Sequence, residues 1–551
     1  MHRSMSLIAT SAAMATATAL VGSPAQAASP LGESYELRKA VRGEQIRQHL
    51  KALQIVADNN NGTRASGTSG YTESVAYVAE KLRAAGYQVT VQEFPFLFFQ
   101  ENSPAELQRM SPSPTSFVLG TDFVTMEFSG SGEVTGELVP IDVVEPPGAT
   151  PGSTSGCEAS DFPAAPTEPA VALLQRGTCT FFTKADNAQK AGYDAAIIYN
   201  EGQEGRTDVL NGTLGGPVGI PVLGATYALG QALLLQDLAT PVTVRVKTDT
   251  VSEERTSHNV IADTVQGRAD RTVVVGAHLD SVLEGPGLQD NGSGSATLLE
   301  IAEQMSRLGI SPTNRVRFAF WGAEESGLVG SEHYVATLPQ DELDDIALNL
   351  NFDMIASPNY VRFVYDGDGS ATGIAGPAGS AEIEQVFTDY FDAKGLPSEP
   401  TEFSGRSDYG PFIAEGIDIP AGGLFTGAEG VKTAEQAAIY GGVAGAAYDP
   451  CYHQACDVYS DYRQQQTEGF DAALYASLEQ AYGDDRLAGN VNTKALNEMA
   501  DAAAHAILYF AMTTSVVGEG GGAEARTFAR AAGASGFSMA AADYKGGRLQ
   551  R

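Results

Sequence analysis

The chain has 551 residues, with 34 Lys and Arg against 68 Asp and Glu for a formal net charge of −34, and 43% of its residues are hydrophobic. That length and apolar content suffice for at least two sizeable cores, which excludes a disordered chain. The charge repels phosphate backbones and anionic lipid, so nucleic-acid binding and a basic membrane anchor are poor readings, and solubility outside a cell is the plain one.

Residues 1–27 read as an export signal: Arg3 in a short polar start, an apolar stretch from Leu7 to Val21, then Pro24 and the small-x-small pattern Ala25-Gln26-Ala27. Ala28 becomes the new N-terminus, and the mature protein is expected to be secreted. The apolar stretch is too short and too rich in Thr, Ser and Ala to span a bilayer, and no later segment does better, so no membrane association is expected. Apolar residues at helical spacing predict helices over 41–57 and 71–86, the second closing at Gly86, and YQVTVQEF alternates as a strand does. Between about 126 and 250 the texture changes to short β-rich runs split by Gly and Pro (GELVPIDV, AVALLQRG, AAIIYN, IPVLGA and VTVRVKT), with one helical stretch near Asp186 to Gly192. From 258 the α/β rhythm resumes with HNVIADT, TVVVGAHLD, a helix at 295–308 closed by Gly309, RVRFAFW, a helix near 329–338, and IALNLNFDM. The simplest architecture is one α/β domain, 28–125 with 251–514, interrupted by a small β-rich domain over 126–250. Residues 515–551 carry little apolar periodicity and much Gly and Ala, and read as a flexible tail.

The four cysteines, Cys157, Cys179, Cys451 and Cys456, form an even set for an oxidising compartment, and none sits in a Cys-x-x-Cys metal pattern. Two local disulfides, Cys157–Cys179 and Cys451–Cys456, are the economical pairing, because each pair lies in one neighbourhood of the chain. Asn61, Asn211 and Asn291 match a glycosylation sequon by pattern alone. His49, His258, His333 and His505 read as surface or helix residues.

Chemistry concentrates in TVVVGAHLDSVLEGPGLQDNGSGSATLLEIAEQM. Its β-branched run ends in His278-Leu279-Asp280, which puts His278 and Asp280 on one side at the carboxyl end of a buried strand, where open α/β sheets place ligand sites. His278 is a candidate metal ligand, and Asp280 can fix its tautomer through the other ring nitrogen. Asp290, at a Gly-rich turn entering a helix, is a second candidate. The next strand ends in Glu324 and Glu325, adjacent carboxylates that repel unless a cation or a proton separates them. Another strand ends in Asn351-Phe352-Asp353, and DPCYHQACD holds His453 between two cysteines. Any one of these carboxylates alone is most often a turn former. Two histidines and three carboxylates at successive strand ends make a two-metal set of nitrogen and oxygen ligands without thiolates.

These stretches resemble the M28 zinc aminopeptidases of secreted bacterial type. The resemblance covers about 28–125 and 251–513, through RASGTSGYTESVAYVAEKLRAAGY, GAHLDS, GPGLQDNGSGSA, FAFWGAEESGLVGS, NLNFDM, SGRSDYGPF and DPCYHQACD. It implies a mixed central sheet with helices on both faces, the phosphorylase/hydrolase-like zinc exopeptidase fold. His278 and Asp353 would hold one zinc ion, Glu325 and His453 the other, and Asp290 would bridge both. Glu324 would be the general base, Tyr452 the oxyanion donor, and Arg406 would lie in a loop near the substrate amine. The Asp290–Asn291 peptide would be cis. The insert resembles the protease-associated (PA) domain, in which members often carry a disulfide where Cys157 and Cys179 stand. The resemblance implies a monomer hydrolysing peptides with a free N-terminus, with preference for large apolar first residues. Calcium is possible but unsupported by the sequence. The alternatives are a zinc carboxypeptidase of the same superfamily and a non-catalytic secreted binding protein.

Overall fold

The computed structural model describes residues 30–163, 167–460, 466–483 and 486–517. The expected export signal and the expected tail beyond residue 517 lie outside the described residues, while Ser515–Val517 form a short 3-10 turn.

Hydrophobic runs buried on both faces set the centre of the fold. In the strand Arg268–His278, Val273 and Val275 face one core while Val274 faces another. In Asn314–Trp321, Phe318 and Phe320 point one way, Ala319 and Trp321 the other. A strand covered on both sides must be apolar at every position, which is why these segments read as unbroken runs. The helices Gly43–Asn59, Ser69–Ala84, Gly292–Arg307 and Thr493–Met512 supply side chains to the larger core, and Val329–Thr337 packs Tyr334 and Val335 on the opposite face.

The strand order on this side is Glu399–Thr401, Phe363–Tyr365, Ala421–Phe425, Ile346–Phe352, Arg268–His278, Asn314–Trp321 and Thr243–Asp263. Ile346–Phe352, Arg268–His278 and Asn314–Trp321 run parallel, whereas Thr243–Asp263 is antiparallel to its neighbour, so the sheet is mixed. Among the described residues no helix is long and apolar enough to cross a membrane.

The insert is joined through one long antiparallel ribbon, with register shifts between Glu101 and Ser103, Ser103 and Glu106, and Arg109 and Ser111. Gln88–Ser111, 24 residues, pairs antiparallel with Thr243–Asp263, 21 residues, from Gln88 opposite Asp263 to Ser111 opposite Thr243. One end of Thr243–Asp263 bonds to the Trp321 strand and the other to Gly132–Pro140, after which follow Ala170–Gln175, Ala195–Tyr199, Val222–Ala225 and Phe123–Thr125. The expected seam at 250 therefore falls inside one continuous strand, and YQVTVQEF is only the first third of its partner. Alternation repeats here: Val171 and Leu173 face one small core, Ala172 and Leu174 the other.

Two helices pack in the insert where sequence spacing predicts one. Phe181–Lys190 overlaps the stretch expected near Asp186 to Gly192 but begins and ends earlier, and Tyr227–Ala239 is additional. The latter opens with Thr226 accepting a hydrogen bond from the Leu229 amide, an N-cap. It buries Leu229, Leu233 and Leu234 but leaves Leu235 and Leu238 exposed. Leucines on both faces leave little contrast between them, so periodicity does not reveal the helix. Both expected disulfides, Cys157–Cys179 and Cys451–Cys456, are formed.

Candidate active site

Three neighbouring parallel strands bring their carboxyl ends to one edge of the sheet. Trp321 lies in register with His278, and Asn351 with Gly276, so the turns after these strands emerge side by side. Ala323, Met354 and His453 adopt left-handed backbone at φ of 53°, 50° and 56°. Such φ values are uncommon without glycine and gather where surrounding structure over-determines the chain. Here they turn the polypeptide sharply beside Glu324, Asp353 and at His453 itself. The loop from Asp280 to the helix Gly292–Arg307 carries Asp290, whose peptide with Asn291 is cis.

All five expected ligands converge. His278 Nε2 lies 3.2 Å from Asp290 Oδ1 and 3.3 Å from Asp353 Oδ1. His453 Nε2 lies 3.3 Å from Asp290 Oδ2 and 3.1 Å from Glu325 Oε2. Asp290 thus faces the two imidazoles with one oxygen each, and each imidazole faces a second carboxylate. Glu324 groups with His278 and Asp353, their polar atoms within 4.8 Å of one another.

The donor set fits zinc. Nitrogen and oxygen atoms bonded to one tetrahedral zinc ion stand about 3.3 Å apart, against 3.1–3.3 Å for the four imidazole–carboxylate separations. Glu325 Oε1 and Asp353 Oδ1 are buried without a hydrogen-bond partner, as acceptors directed at a cation would be.

Electrostatics point the same way. Burial pushes Glu324 well above the usual carboxylate range, with His278 opposing and Asp408, Glu325 and Asp353 adding to the rise. Burial likewise lifts Glu325 to about 7 against the pull of His453, and Asp408 to about 8 against that of His278. Burial disfavours both imidazolium ions, yet the carboxylates around them, Glu324 first for His278 and Glu325 first for His453, raise both well above the ordinary histidine value. So much negative charge in a low-dielectric pocket calls for positive charge from somewhere.

The supporting groups divide into expected and unforeseen. Asp280 touches the His278 ring through its main chain: Nδ1 is 3.2 Å from the Asp280 carbonyl and 3.7 Å from the carboxylate, which instead accepts the Glu324 amide at 3.3 Å. Tyr452 stacks on the His453 ring at 3.8 Å. Arg406 forms an ion pair with Glu429 at 2.8 Å and reaches the Tyr452 hydroxyl at 3.5 Å. Its positive charge therefore lies on the hydroxyl side of the site.

Ser407, Asp408, Arg64, Asp457 and Asn490 were not singled out by sequence reasoning. Ser407 donates to Asp353 Oδ2 at 2.6 Å and accepts from Asn351 Nδ2 at 2.8 Å. Arg64, wholly buried, donates to the carbonyls of Leu279, Pro286 and Gly287 and so clamps the loop that carries Asp290. Asp457 accepts the amides of Gln289 and Asp290 at 2.9 and 3.0 Å. Asn490 Nδ2 bridges Asp457 Oδ1, 2.9 Å, and Asp449 Oδ1, 2.9 Å, which itself accepts the Cys451 amide. The Asp290 loop and the His453 loop are thereby tied to one buried amide. Asn291, also wholly buried, accepts from the Gly294 and Met354 amides and donates to the Phe352 carbonyl. The motifs SGRSD and DPCYHQACD contain Ser407, Asp408 and Asp457, so a signal for these was present.

The other histidines lie elsewhere. His49 and His505 are in helices but buried, while His258 and His333 are half-buried. His258 sits on the strand Thr243–Asp263, because alternation there turns it outward beside Glu93.

Comparison with known proteins agrees with this geometry. Residues 259–477 match peptidase family M28 and residues 134–233 match the PA domain. An aminopeptidase of Pseudomonas aeruginosa strain UCBPP-PA14 is 45% identical over 475 residues, covering 85% of this chain and 86% of that one. A probable leucine aminopeptidase 2 of Aspergillus fumigatus is 42% identical over 399 residues, covering 72% and 74%. The aminopeptidase from Aneurinibacillus sp. strain AM-1 superimposes with a TM-score of 0.59 at 24% identity, over 86% of this chain and 95% of that one, a likeness of fold. The chain belongs to peptidase family M28, a metallopeptidase family, with a PA domain set into its catalytic sheet.

Proposed function

We propose that this protein is a secreted aminopeptidase with two zinc ions, removing the N-terminal residue from peptides and favouring large apolar first residues. The observation that carries the two-ion reading is Asp290, whose oxygens face His278 and His453 separately while Asp353 and Glu325 complete the two sets. The side-chain preference rests on similarity to a protein named a probable leucine aminopeptidase. Secretion rests on the export signal read in residues 1–27.

When bound, zinc supplies Lewis acidity that acidifies water and polarises the scissile carbonyl. The chain's own groups do the rest. Glu324 sits beside His278 and Asp353 in a buried, carboxylate-rich environment that raises its proton affinity. That affinity suits a group that takes a proton from water at one carboxylate oxygen and passes it to the departing amine. Tyr452 is held neutral by burial, with Asp290 and Glu325 adding to the effect, so its hydroxyl donates to the oxyanion. Glu324 and Asp353 give the pocket the negative potential that a substrate ammonium group requires.

The test is hydrolysis of leucyl amide by the purified protein with and without chelator, beside N-acetylated peptides bearing a free C-terminus. Chelator-sensitive release from the free-amine substrate alone is expected. Cleavage of the acetylated peptides instead favours a carboxypeptidase, and no cleavage of either favours a binding protein. Glu325→Gln should lower zinc content, because an amide is a weaker ligand than a carboxylate. Glu324→Gln should keep both zinc ions yet lose about 10²–10⁴-fold in kcat. Zinc loss in Glu324→Gln with retention in Glu325→Gln would reverse the two roles.

A further inference from the structure

The turn that carries Glu324 and Glu325 is held at both ends by one side chain of a neighbouring strand. The ladder between Asn314–Trp321 and Thr243–Asp263 ends with Phe320 opposite Val260. One step further, the side chain of Asn259 takes over from the main chain. Its Oδ1 accepts the Gly322 amide at 3.1 Å, and its Nδ2 donates to the Gly330 carbonyl at 2.8 Å and to Gln92 Oε1 at 3.0 Å. Asn259 is 0% exposed, so each of these bonds stands in for one to water. With Oδ1 engaged and both Nδ2 hydrogens used, the amide is fixed in one orientation.

Gly322 and Gly330 bracket the segment. Between them Gly327 and Leu328 donate to the Glu324 carbonyl at 2.8 and 2.9 Å, and Val329 donates to that of Ala323 at 3.1 Å. The two ends meet so closely that a Cβ on Gly330 would stand 2.2 Å from the Gly322 carbonyl oxygen and 2.4 Å from Asn259 Oδ1, a clash that only glycine avoids. Ser257, two residues before Asn259 and on the same face of the strand, adds a second tie. Its hydroxyl lies 2.9 Å from Ser66 Oγ, which accepts the Ala323 amide at 2.7 Å.

The two glutamates depend on this support unequally. Glu325 faces His453 at 3.1 Å and has the ion they would share as a second anchor. Glu324 takes no part in the four imidazole–carboxylate contacts, so its main chain places it. We infer, on the reading of Glu324 as the general base, that Asn259 is a positioning residue for the reaction: it locks the turn so that the Glu324 carboxylate stays beside His278 and Asp353. A strand paired on both sides holds a site more exactly than a loop does. The same strand pairs with Gly132–Pro140 at its other end, so the base is placed from an element that both domains share.

The test is a double-mutant cycle on the zinc-loaded full chain, with kcat and KM on leucyl amide, zinc content and Tm read for Asn259→Ala, Glu324→Gln and the pair. Asn259→Ala should lose about 10–100-fold in kcat, with KM and zinc content as in the wild type. In the Glu324→Gln background the same change should cost less than about threefold, because no base is left to place. Val260→Ala opens space in the core on the other face of the strand; it should lower Tm yet keep kcat, which separates lost stability from lost placement. Asn259→Asp keeps the side-chain size and the acceptor for Gly322 but loses the donor to Gly330, so it too should lose kcat, and it carries the same cycle if the alanine variant does not fold. Unchanged kcat in the Asn259 variant, an equal factor in both backgrounds, or loss of zinc along with kcat would overturn the inference and leave the base reading standing. Wild-type kcat in Glu324→Gln would instead overturn the base reading, and the positioning role with it.

Discussion

Removing the Ser407 hydroxyl tests whether the Asp353 carboxylate is held for a metal. Ser407 is 5% exposed and Asp353 8% exposed, and their 2.6 Å contact is a hydrogen bond to a buried charge. Bonds of this kind contribute about 1.5–3 kcal/mol. If that energy orients Asp353 toward the ion it shares with His278, its loss corresponds to about a 10- to 150-fold weaker site, in line with the 10–100-fold typical of such outer partners. Ser407→Ala should therefore lower the affinity of one zinc ion by this factor and leave the His453–Glu325 ion within about threefold. Asn351 Nδ2 also loses its acceptor, so the metal-free protein should be less stable by about 1–3 kcal/mol. Competition of the apo protein with a chromophoric chelator gives both zinc affinities, while thermal unfolding of the same sample gives the stability term. Ser407→Thr, which keeps the hydroxyl, should retain the weaker-bound ion. A destabilised Ser407→Ala with both affinities unchanged would refute the reasoning, because the hydroxyl would then serve only packing.

Tyr452→Phe should keep its zinc content and lose about 10²–10³-fold in kcat, the usual cost of one oxyanion donor, whereas unchanged kcat would remove Tyr452 from the chemistry. His505 bonds to Ser34 at 2.8 Å, and its pKa is pushed down to about 4 by burial, with Arg38 adding to the effect. The unfolded chain then binds the proton first, so stability is present above the ordinary histidine value near 6.5 and is lost as pH falls from there to about 4, by up to about 3 kcal/mol. The Tm difference between wild type and His505→Phe should show this loss across that window, and a pH-independent difference would contradict it. Asn490→Leu removes the amide between Asp449 and Asp457 and should weaken both zinc ions, since each metal loop hangs on one of those carboxylates. Loss of one ion alone would show that the two loops are held separately.

The sequence determined the elements whose stability is local or whose burial is total. Val273–Val275 and Phe318–Phe320 could only be strands covered on both faces, and their ends announced His278 and the Glu324–Glu325 pair. The five candidate ligands were legible because each sits inside a compact motif, and the cysteine pairs because each lies in one stretch of chain. The tertiary structure decided what depends on distant partners. A lone hydroxyl or amide has no pattern of its own, so Ser407 became a support for Asp353 only when the fold brought together residues 54 positions apart. Asp457 reaches back 167 residues to the Asp290 amide. Tyr227–Ala239 was hidden because its leucines fall on the buried and the exposed face alike, and the boundary expected at 250 dissolved because a hydrogen-bonded ribbon runs through it. His49 and His505 were buried by helix packing that their own helices do not specify. Periodicity records which face of an element avoids water, and it carries no record of which other element comes to cover that face.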